Sequence, residues 1–234
     1  MRDPVLLQRD YYSTTADQYD RMHNSSTDSH AFALAVLVSM IDFFGFQSIL
    51  DVGSGTGRAL RAIKRSHPAV RLVGIEPSPE MRSQGHTKGL AATELIDGDA
   101  QALPFADGSF DLVCEFGVLH HVPKPRKAVY EMLRVARKGI FISDGNNFGQ
   151  GSFLSRCAKQ AIDAFGFWPV ANLIKTRGRG YVISEGDGLA FSYSVFNDYD
   201  QIKALCKRIH LINTEGSGPN LYRSAPHVAL LGLK

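Results

Sequence analysis

The sequence predicts an α/β protein whose centre is a doubly wound, mostly parallel sheet. The first observation is an apolar run at residues 48–52, which is followed by glycines at positions 53, 55 and 57. A run this short that meets a turn signal is typical of a buried parallel strand. The second observation is that further short apolar runs alternate with helical patterns along the 234 residues. Such alternation indicates parallel strands joined by crossover helices.

Composition agrees with one globular domain and excludes several classes of protein. The chain is 44% hydrophobic and 21% charged, and its net charge of +3 lacks the basic stripe expected of a nucleic-acid binder. Three widely spaced cysteines predict neither a disulfide framework nor a metal cluster, and they favour a reducing cytoplasm. The N-terminus does not resemble a secretion signal. The longest apolar stretch, residues 31–44, is shorter than the roughly 20 residues that span a bilayer.

Local patterns predict the elements in order. A helix over 31–44 stops at Gly45 and leads into strand one at 48–52. Glu76 ends strand two and is followed by a Pro-Ser-Pro segment that starts a helix. The other predicted elements are helix 57–66, strands 71–75, 93–96 and 110–115, helix 126–135 after Pro125, strand 140–143, helix 199–208 and strands 209–214 and 227–233.

The glycine-rich turn indicates a ligand-binding loop. Glycine has no Cβ, so the backbone can take positive φ and approach a ligand closely. The turn opens a helix at the carboxyl end of a strand, where nucleotide-like ligands bind in such sheets. A dinucleotide fingerprint needs a third glycine where this chain has Arg58. An NAD-dependent reductase is therefore the least favoured of the functions considered.

Two sequence blocks resemble one enzyme family. The run Asp51-x-Gly53-x-Gly55-x-Gly57 resembles motif I of the class I S-adenosylmethionine-dependent methyltransferases. Residues 98–113, GDAQALPFADGSFDLV, resemble a block of the small-molecule, type 11-like branch of that class. The resemblance covers residues 48–143. It implies S-adenosyl-L-methionine as the cofactor and a Rossmann-like, seven-stranded sheet whose last strand is antiparallel.

The resemblance also implies which residues bind the cofactor. Glu76 lies about 20 residues beyond the glycine loop, where a carboxylate accepts from ribose hydroxyls. Met81 would lie near the adenine, and Asp99 with the amide of Ala100 would match its donor and acceptor edge. The complete set of cofactor-binding candidates is Asp51, Gly53, Ser54, Gly55, Gly57, Glu76, Pro77, Met81, Asp99, Ala100, Glu115 and Tyr19.

A histidine pair after strand four is the candidate for proton chemistry. A histidine titrates near neutral pH, so His121 or His120 can take a proton from an attacking hydroxyl. Neighbouring side chains point to different faces, and we favour His121; a packing role is the alternative. No ligand-spaced cluster accompanies the pair, so we expect no metal. The loop lacks the N-P-P-Y sequence of many amino methyltransferases, which lowers the expectation of an amine acceptor.

Residues outside the core are predicted to cover the site. Residues 1–47 form an N-terminal part whose first 30 residues are either a loosely packed arm or, by the resemblance, a lid over the cofactor. Residues 48–144 form the cofactor-binding core, and 199–234 complete its sheet. Residues 145–198, the cap segment, are rich in aromatic residues and form either a helical subdomain or a hydrophobic acceptor pocket. The basic residues at 175–179 either bind an anionic group or form a surface loop.

These observations together predict an O-methyltransferase that acts on a small-molecule or lipid-like acceptor. We expect a cytoplasmic monomer or homodimer with no membrane span, and nucleic acid is not the expected partner. A methyltransferase that acts on RNA or protein is one alternative. A non-catalytic protein that binds S-adenosylmethionine is the other.

Overall fold

A seven-stranded sheet forms the centre of the computed structural model, which describes residues 4–23, 28–184 and 186–234. The strands are β1 (Ser48–Val52), β2 (Arg71–Ile75), β3 (Leu95–Ile96), β4 (Phe110–Phe116), β5 (Ala136–Gly145), β6 (Tyr181–Ser184), β7 (Gly188–Phe191), β8 (Arg208–Glu215) and β9 (His227–Leu233). The helices are α1 (Pro4–His23), α2 (Ser29–Phe44), α3 (Arg58–Ser66), α4 (Pro79–Thr87), α5 (Pro125–Val135), α6 (Phe153–Ala164), α7 (Trp168–Lys175), α8 (Tyr199–Leu205) and α9 (Leu221–Ser224).

The strand order of the sheet is β3-β2-β1-β4-β5-β9-β8. The pairs from β3 to β5 are parallel, whereas β9 is antiparallel to both β5 and β8. The predicted fold class, a doubly wound sheet with an antiparallel last strand, is therefore confirmed. The order reverses between β1 and β4, and ligands of open α/β sheets bind at the carboxyl ends of the strands beside such a point.

Buried strands explain why the core sequence forms this sheet. All five residues of β1 and all seven of β9 are buried. Neighbouring residues of a strand point to opposite faces, so each strand supplies both hydrophobic layers. Leu50 and Val52 belong to one layer and Ile49 to the other. Parallel strands need this cover on both faces, because helices pack on each side.

Several elements differ from the prediction. Residues 4–23 form the helix α1 instead of a loose arm, and α1 contacts α4 and β7. The strand β5 starts at Ala136 instead of 140, directly after α5, because its polar start still pairs with β4. The third strand is only Leu95–Ile96, and α8 ends at Leu205. The cap segment contains an unpredicted hairpin of β6 and β7 besides its helices.

Among the residues that the structure describes, none of the helices is both long enough and apolar enough to cross a bilayer.

Candidate functional site

The glycine-rich turn lies between β1 and α3 and is pressed against the loop after β4. Gly53 has a φ of +70°, a left-handed conformation that glycine adopts without strain. A Cβ at this position would meet the Cγ2 atom of Val118 at 2.4 Å. Glycine is therefore required here both by the turn and by the close approach of the two loops.

Glu76 connects this turn to the next helix. Its carboxylate is 6% exposed and accepts from the backbone N–H of Gly55 at 3.1 Å and of Ser78 at 2.9 Å. Ser78 in turn caps α4 by accepting from the N–H of Met81. The acid at the end of β2 thus fixes both walls of the space between the glycine turn and α4.

A cavity opens over these residues at the carboxyl ends of β1, β2 and β4. Eight of the predicted site residues line it, namely Gly53, Gly55, Glu76, Pro77, Met81, Asp99, Ala100 and His121. Asp99 is exposed, and its Oδ1 accepts from the N–H of Gln101 at 2.8 Å. We call this space the first cavity.

Four of the predicted cofactor residues do not line the first cavity and instead support its floor. Asp51 is 2% exposed, and Ser54 and Gly57 belong to the buried part of the turn. Glu115 is fully buried and accepts from the N–H of Val118 at 2.8 Å and of Ser143 at 2.9 Å. A fifth candidate, Tyr19, falls within α1, but its side chain lies outside the described residues.

We expect replacement of the buried Asp51 by asparagine to change how stability depends on pH. Burial raises the pKa of the Asp51 carboxyl from 3.8 to about 7, with the charge of Glu76 as a further cause. The folded state therefore holds this proton longer than the unfolded state, and stability falls as pH rises from about 4 to about 7. Asp51→Asn should remove this decrease. At pH 8 the variant's free energy of unfolding, measured with urea, should exceed that of the unchanged protein by about 2–4 kcal/mol.

Asp42→Asn is the matched control for this prediction, since the Asp42 side chain is 89% exposed. Its pH–stability curve should follow that of the unchanged protein. Parallel curves for the Asp51 variant and the unchanged protein would show that burial does not hold the Asp51 proton.

His121 faces the first cavity from a 3₁₀ turn at Leu119–His121. Its Nδ1 lies 2.6 Å from the carbonyl oxygen of Leu189, which fixes Nδ1 as the protonated donor and Nε2 as the basic nitrogen. Nε2 lies 3.4 Å from Oδ1 of Asp187. A proton taken up by Nε2 would therefore face a carboxylate.

His120 lies beside His121, with ring centroids 4.0 Å apart, and forms a buried ion pair. Its Nδ1 is 2.7 Å from Oδ1 of Asp144, and its Nε2 is 3.3 Å from Oδ2 of Asp187. Burial alone would lower the pKa of His120, but the carboxylates of Asp144 and Asp187 outweigh it and hold that pKa well above its usual value. Burial likewise opposes ionisation of Asp144, yet His120 lowers the pKa of Asp144 to about 2.

A second cavity, of about 350 Å³, lies on the His120 side of the pair. Asp144 and Asp187 line it together with polar and aromatic residues of the cap segment. Two buried polar atoms on residues of its wall, Nδ2 of Asn147 and Nε2 of His227, have no hydrogen-bond partner among the described residues. Buried polar atoms without partners are costly, so a bound polar molecule would stabilise this wall.

The fold gives the histidine pair a partner that the sequence analysis did not find. One ligand atom from each of His120, His121 and Asp187 lies within 4.8 Å of the others, a spacing that one metal ion could share. Sequence spacing did not reveal this spatial cluster, and the expectation that no metal is bound stays a prediction. We describe the group as an ion-pair network, because Asp144 and Asp187 already pair with the imidazole nitrogens.

Sequence reasoning also missed Gln8, which connects α1 to the site. Its Oε1 accepts from the N–H of Leu189 at 2.5 Å, and its Nε2 lies 3.2 Å from Nδ1 of His121. Tyr12 lines the first cavity as well, and its ring meets that of His121 edge-on at 6.0 Å. The polar, tyrosine-rich N-terminal segment was the available signal for both residues.

Residues 50–143 match the model of a protein family described as a methyltransferase domain. An uncharacterized methyltransferase of Mycobacterium avium strain 104 is 38% identical over 94 residues, which are 40% of this chain and 36% of that protein. One of Mycobacteroides abscessus is 39% identical over 98 residues, 40% and 37% of the two chains. The matched region thus spans little more than a third of these curated relatives.

Two solved structures are similar over nearly the whole chain. Magnesium protoporphyrin IX methyltransferase of Synechocystis PCC 6803, solved with bound S-adenosylhomocysteine, aligns with a TM-score of 0.60 at 16% identity and covers 99% of this chain and 100% of its own. A possible histamine N-methyltransferase of Thermotoga maritima aligns with a TM-score of 0.59 at 20% identity, covering 96% and 98%. At these identities the similarity supports the fold alone.

Proposed function

Because residues 50–143 belong to the methyltransferase-domain family, we propose that the protein transfers a methyl group from S-adenosyl-L-methionine to a hydroxyl oxygen of a small-molecule or lipid-like acceptor. The observation that carries the proposal is that the two cavities meet at the histidine pair. His121 lines the first cavity, while His120 and Asp187 line the second. A donor in the first cavity and an acceptor in the second would thus lie on either side of two adjacent imidazoles, whose centroids are 4.0 Å apart.

The residues of the first cavity suit an adenosyl group. The glycine turn leaves room that a Cβ at Gly53 would fill, and Glu76 offers a rigidly held carboxylate for ribose hydroxyls. Ile75 and Met81 supply apolar contact for the adenine ring, and Asp99 with the amide of Ala100 supplies polar groups for the edge of that ring. When bound, S-adenosylmethionine supplies an electrophilic methyl group on its sulfonium. The protein's part is then alignment and exclusion of water.

The second cavity supports a polar acceptor group. Gln150, Asn172 and Ser192 line it and carry polar groups that can hydrogen-bond an oxygen-bearing ligand. Lys175, in the basic segment for which the sequence left an anion site or a surface loop open, lines the same cavity, and Tyr181 and Phe191 offer aromatic surface. The purely hydrophobic pocket that the aromatic residues suggested is not what this lining favours.

We assign the proton transfer to His121. Nε2 accepts the proton of the acceptor hydroxyl as the hydroxyl oxygen becomes the nucleophile. The Nδ1–H bond to the Leu189 carbonyl keeps the ring in the required tautomer, and Asp187 stabilises the charged imidazole. His120, already paired with Asp144 and Asp187, positions Asp187 and is not itself the base.

A transfer assay with labelled donor tests this function. We expect label on the oxygen of hydroxylated acceptors, and we expect Glu76→Gln to raise the KM for the donor about 10- to 100-fold, because a charged hydrogen-bonding group contributes about 1.5–3 kcal/mol. Glu80→Gln is the control, since this glutamate lies on α4 but does not line the first cavity. Its KM should match that of the unchanged protein.

The same assay separates the alternatives. Label that arrives only on amines, carbon, protein or RNA would contradict O-methylation, and retention of RNA that weakens with salt would favour the RNA alternative. Binding of the donor without any transfer would favour a non-catalytic binding protein.

The three cysteines, Cys114, Cys157 and Cys206, are unpaired, which supports a cytoplasmic location. We also propose that the protein is a monomer or a homodimer.

A further inference from the structure

The helix α6 has its apolar side turned outward. Leu154, Ala158, Ala161 and Phe165 follow one another at helical spacing and are all exposed, and Leu154 and Phe165 are each 77% exposed. Cys157, also exposed, widens the same stripe. No residue of α6 is buried. A surface helix ordinarily buries its apolar stripe against the core, so this arrangement is the reverse of the usual one.

The polar side of α6 holds the helix to the protein. Lys159 donates to two backbone carbonyls, including that of Gln150 at 2.8 Å. Gln160 donates to the carbonyl of Phe148 at 3.0 Å, and Asp163 accepts from the hydroxyl of Tyr222 at 2.9 Å. These bonds fix which side of α6 faces inward, so the outward apolar side does not result from a loose helix.

The neighbouring helix α7, which packs against α6, continues the exposed apolar surface. Phe167, which precedes α7, and Val170 and Ile174 within it recur at helical spacing and are 65%, 57% and 75% exposed. Like α6, α7 has no buried residue. Contiguous apolar surface of this kind on a folded protein marks an interaction site.

Basic residues accompany this surface. Residues 150–184 contain five basic residues, Arg156, Lys159, Lys175, Arg177 and Arg179, and a single acidic one, Asp163. Lys175, Arg177 and Arg179 are exposed at the end of α7, next to its apolar stripe. Lys159 faces inward, so the exposed charge beside the apolar side chains is that of Lys175, Arg177 and Arg179, which exceeds the single negative charge of Asp163. The surface therefore combines protruding apolar groups with a net positive charge.

We propose that α6 and α7 form a docking face for an anionic membrane surface. The apolar side chains would enter the boundary between headgroups and acyl chains, and the basic residues would meet the anionic headgroups. Anchored helices of this type lie in the membrane plane and do not span it. On the proposed function, the acceptor would then be an amphiphile whose polar end enters the second cavity, since Lys175 at the end of α7 lines that cavity.

Charge favours a membrane over a second copy of the chain. A two-fold dimer brings the same surface patch of both copies together. Pairing through this face would place the exposed Lys175, Arg177 and Arg179 of both copies at one interface, with Asp163 the sole acid of the segment. An anionic bilayer offers the opposite charge across the whole contact.

Sedimentation of the full chain with lipid vesicles, without donor or acceptor, tests the proposal. We expect the protein to sediment with phosphatidylcholine vesicles that contain about 30% phosphatidylglycerol and to remain in solution with phosphatidylcholine alone. Combining Leu154→Gln with Phe165→Gln should reduce binding at least about tenfold, because both side chains contribute apolar insertion. Arg177→Gln should reduce it about fivefold on the anionic vesicles.

Phe43→Gln is the matched control, because Phe43 is 81% exposed on α2, away from this face, and its replacement should leave vesicle binding unchanged. No sedimentation with anionic vesicles would overturn the proposal. A dimer that the Leu154 and Phe165 substitutions dissociate, without vesicle binding, would assign the face to a second copy instead. Neither result would bear on methyl transfer, which the labelled-donor assay measures separately.

Discussion

Gly53→Ala is expected to abolish measurable binding of S-adenosylhomocysteine in calorimetry. Alanine at a φ of +70° is strained, and its Cβ would lie 2.4 Å from Cγ2 of Val118. Relief of that overlap must move the glycine turn or the loop that carries Val118, and both line the first cavity. We expect an affinity loss of at least about 100-fold. Strain and overlap together should lower the free energy of unfolding by about 2–3 kcal/mol.

Gly45→Ala separates backbone strain from the overlap. Gly45 ends α2 with a φ of +61°, yet a Cβ there would meet nothing within 4 Å. This variant should lose about 1 kcal/mol of stability from the left-handed backbone and keep its affinity. If Gly53→Ala bound the ligand as well as Gly45→Ala does, the close contact with Val118 would not define the cofactor site.

His121→Ala is expected to lower kcat about 100- to 10,000-fold while the KM for the donor stays within about threefold. The loss follows from the role of Nε2, which the bond from Nδ1 to the Leu189 carbonyl keeps unprotonated. The split between kcat and KM is the decisive readout, because a purely structural histidine that lines the first cavity would change the KM for the donor as well.

His210→Ala is the control for this prediction, since His210 is exposed on β8. Its kcat and its KM for the donor should equal those of the unchanged protein. A chelator should leave the rate unaltered if His121 acts as the base. A rate that chelation abolishes and a divalent cation restores would instead assign His120, His121 and Asp187 to a metal ion.

The sequence predicted the site best where a functional residue directly follows a strand. Gly53, Glu76 and Asp99 each follow a short apolar run closely, so their convergence at one sheet edge follows from parallel pairing alone. His121 follows β4 in the same way. Local signals therefore predicted the fold and eight of the residues that line the first cavity.

Contacts between distant segments could not be predicted in this way. Gln8 and Asp187 are 179 residues apart, and their contact depends on a hairpin in the cap segment that no pattern indicated. The start of β5 was missed because Arg137 and Lys138 interrupt its apolar pattern, although the backbone there pairs with β4. Aromatic content in the cap segment suggested a core or a pocket, but Phe153 and Leu154 of α6 are exposed.

One glutamine ties helix α1 to the imidazole that we assign as base. Gln8 accepts from the N–H of Leu189, and its amide nitrogen donates to the carbonyl of Asp187. The carbonyl of the same Leu189 accepts from Nδ1 of His121. The position of the N-terminal helix and the orientation of this imidazole are therefore coupled through one residue of β7, although 181 residues separate Gln8 from Leu189.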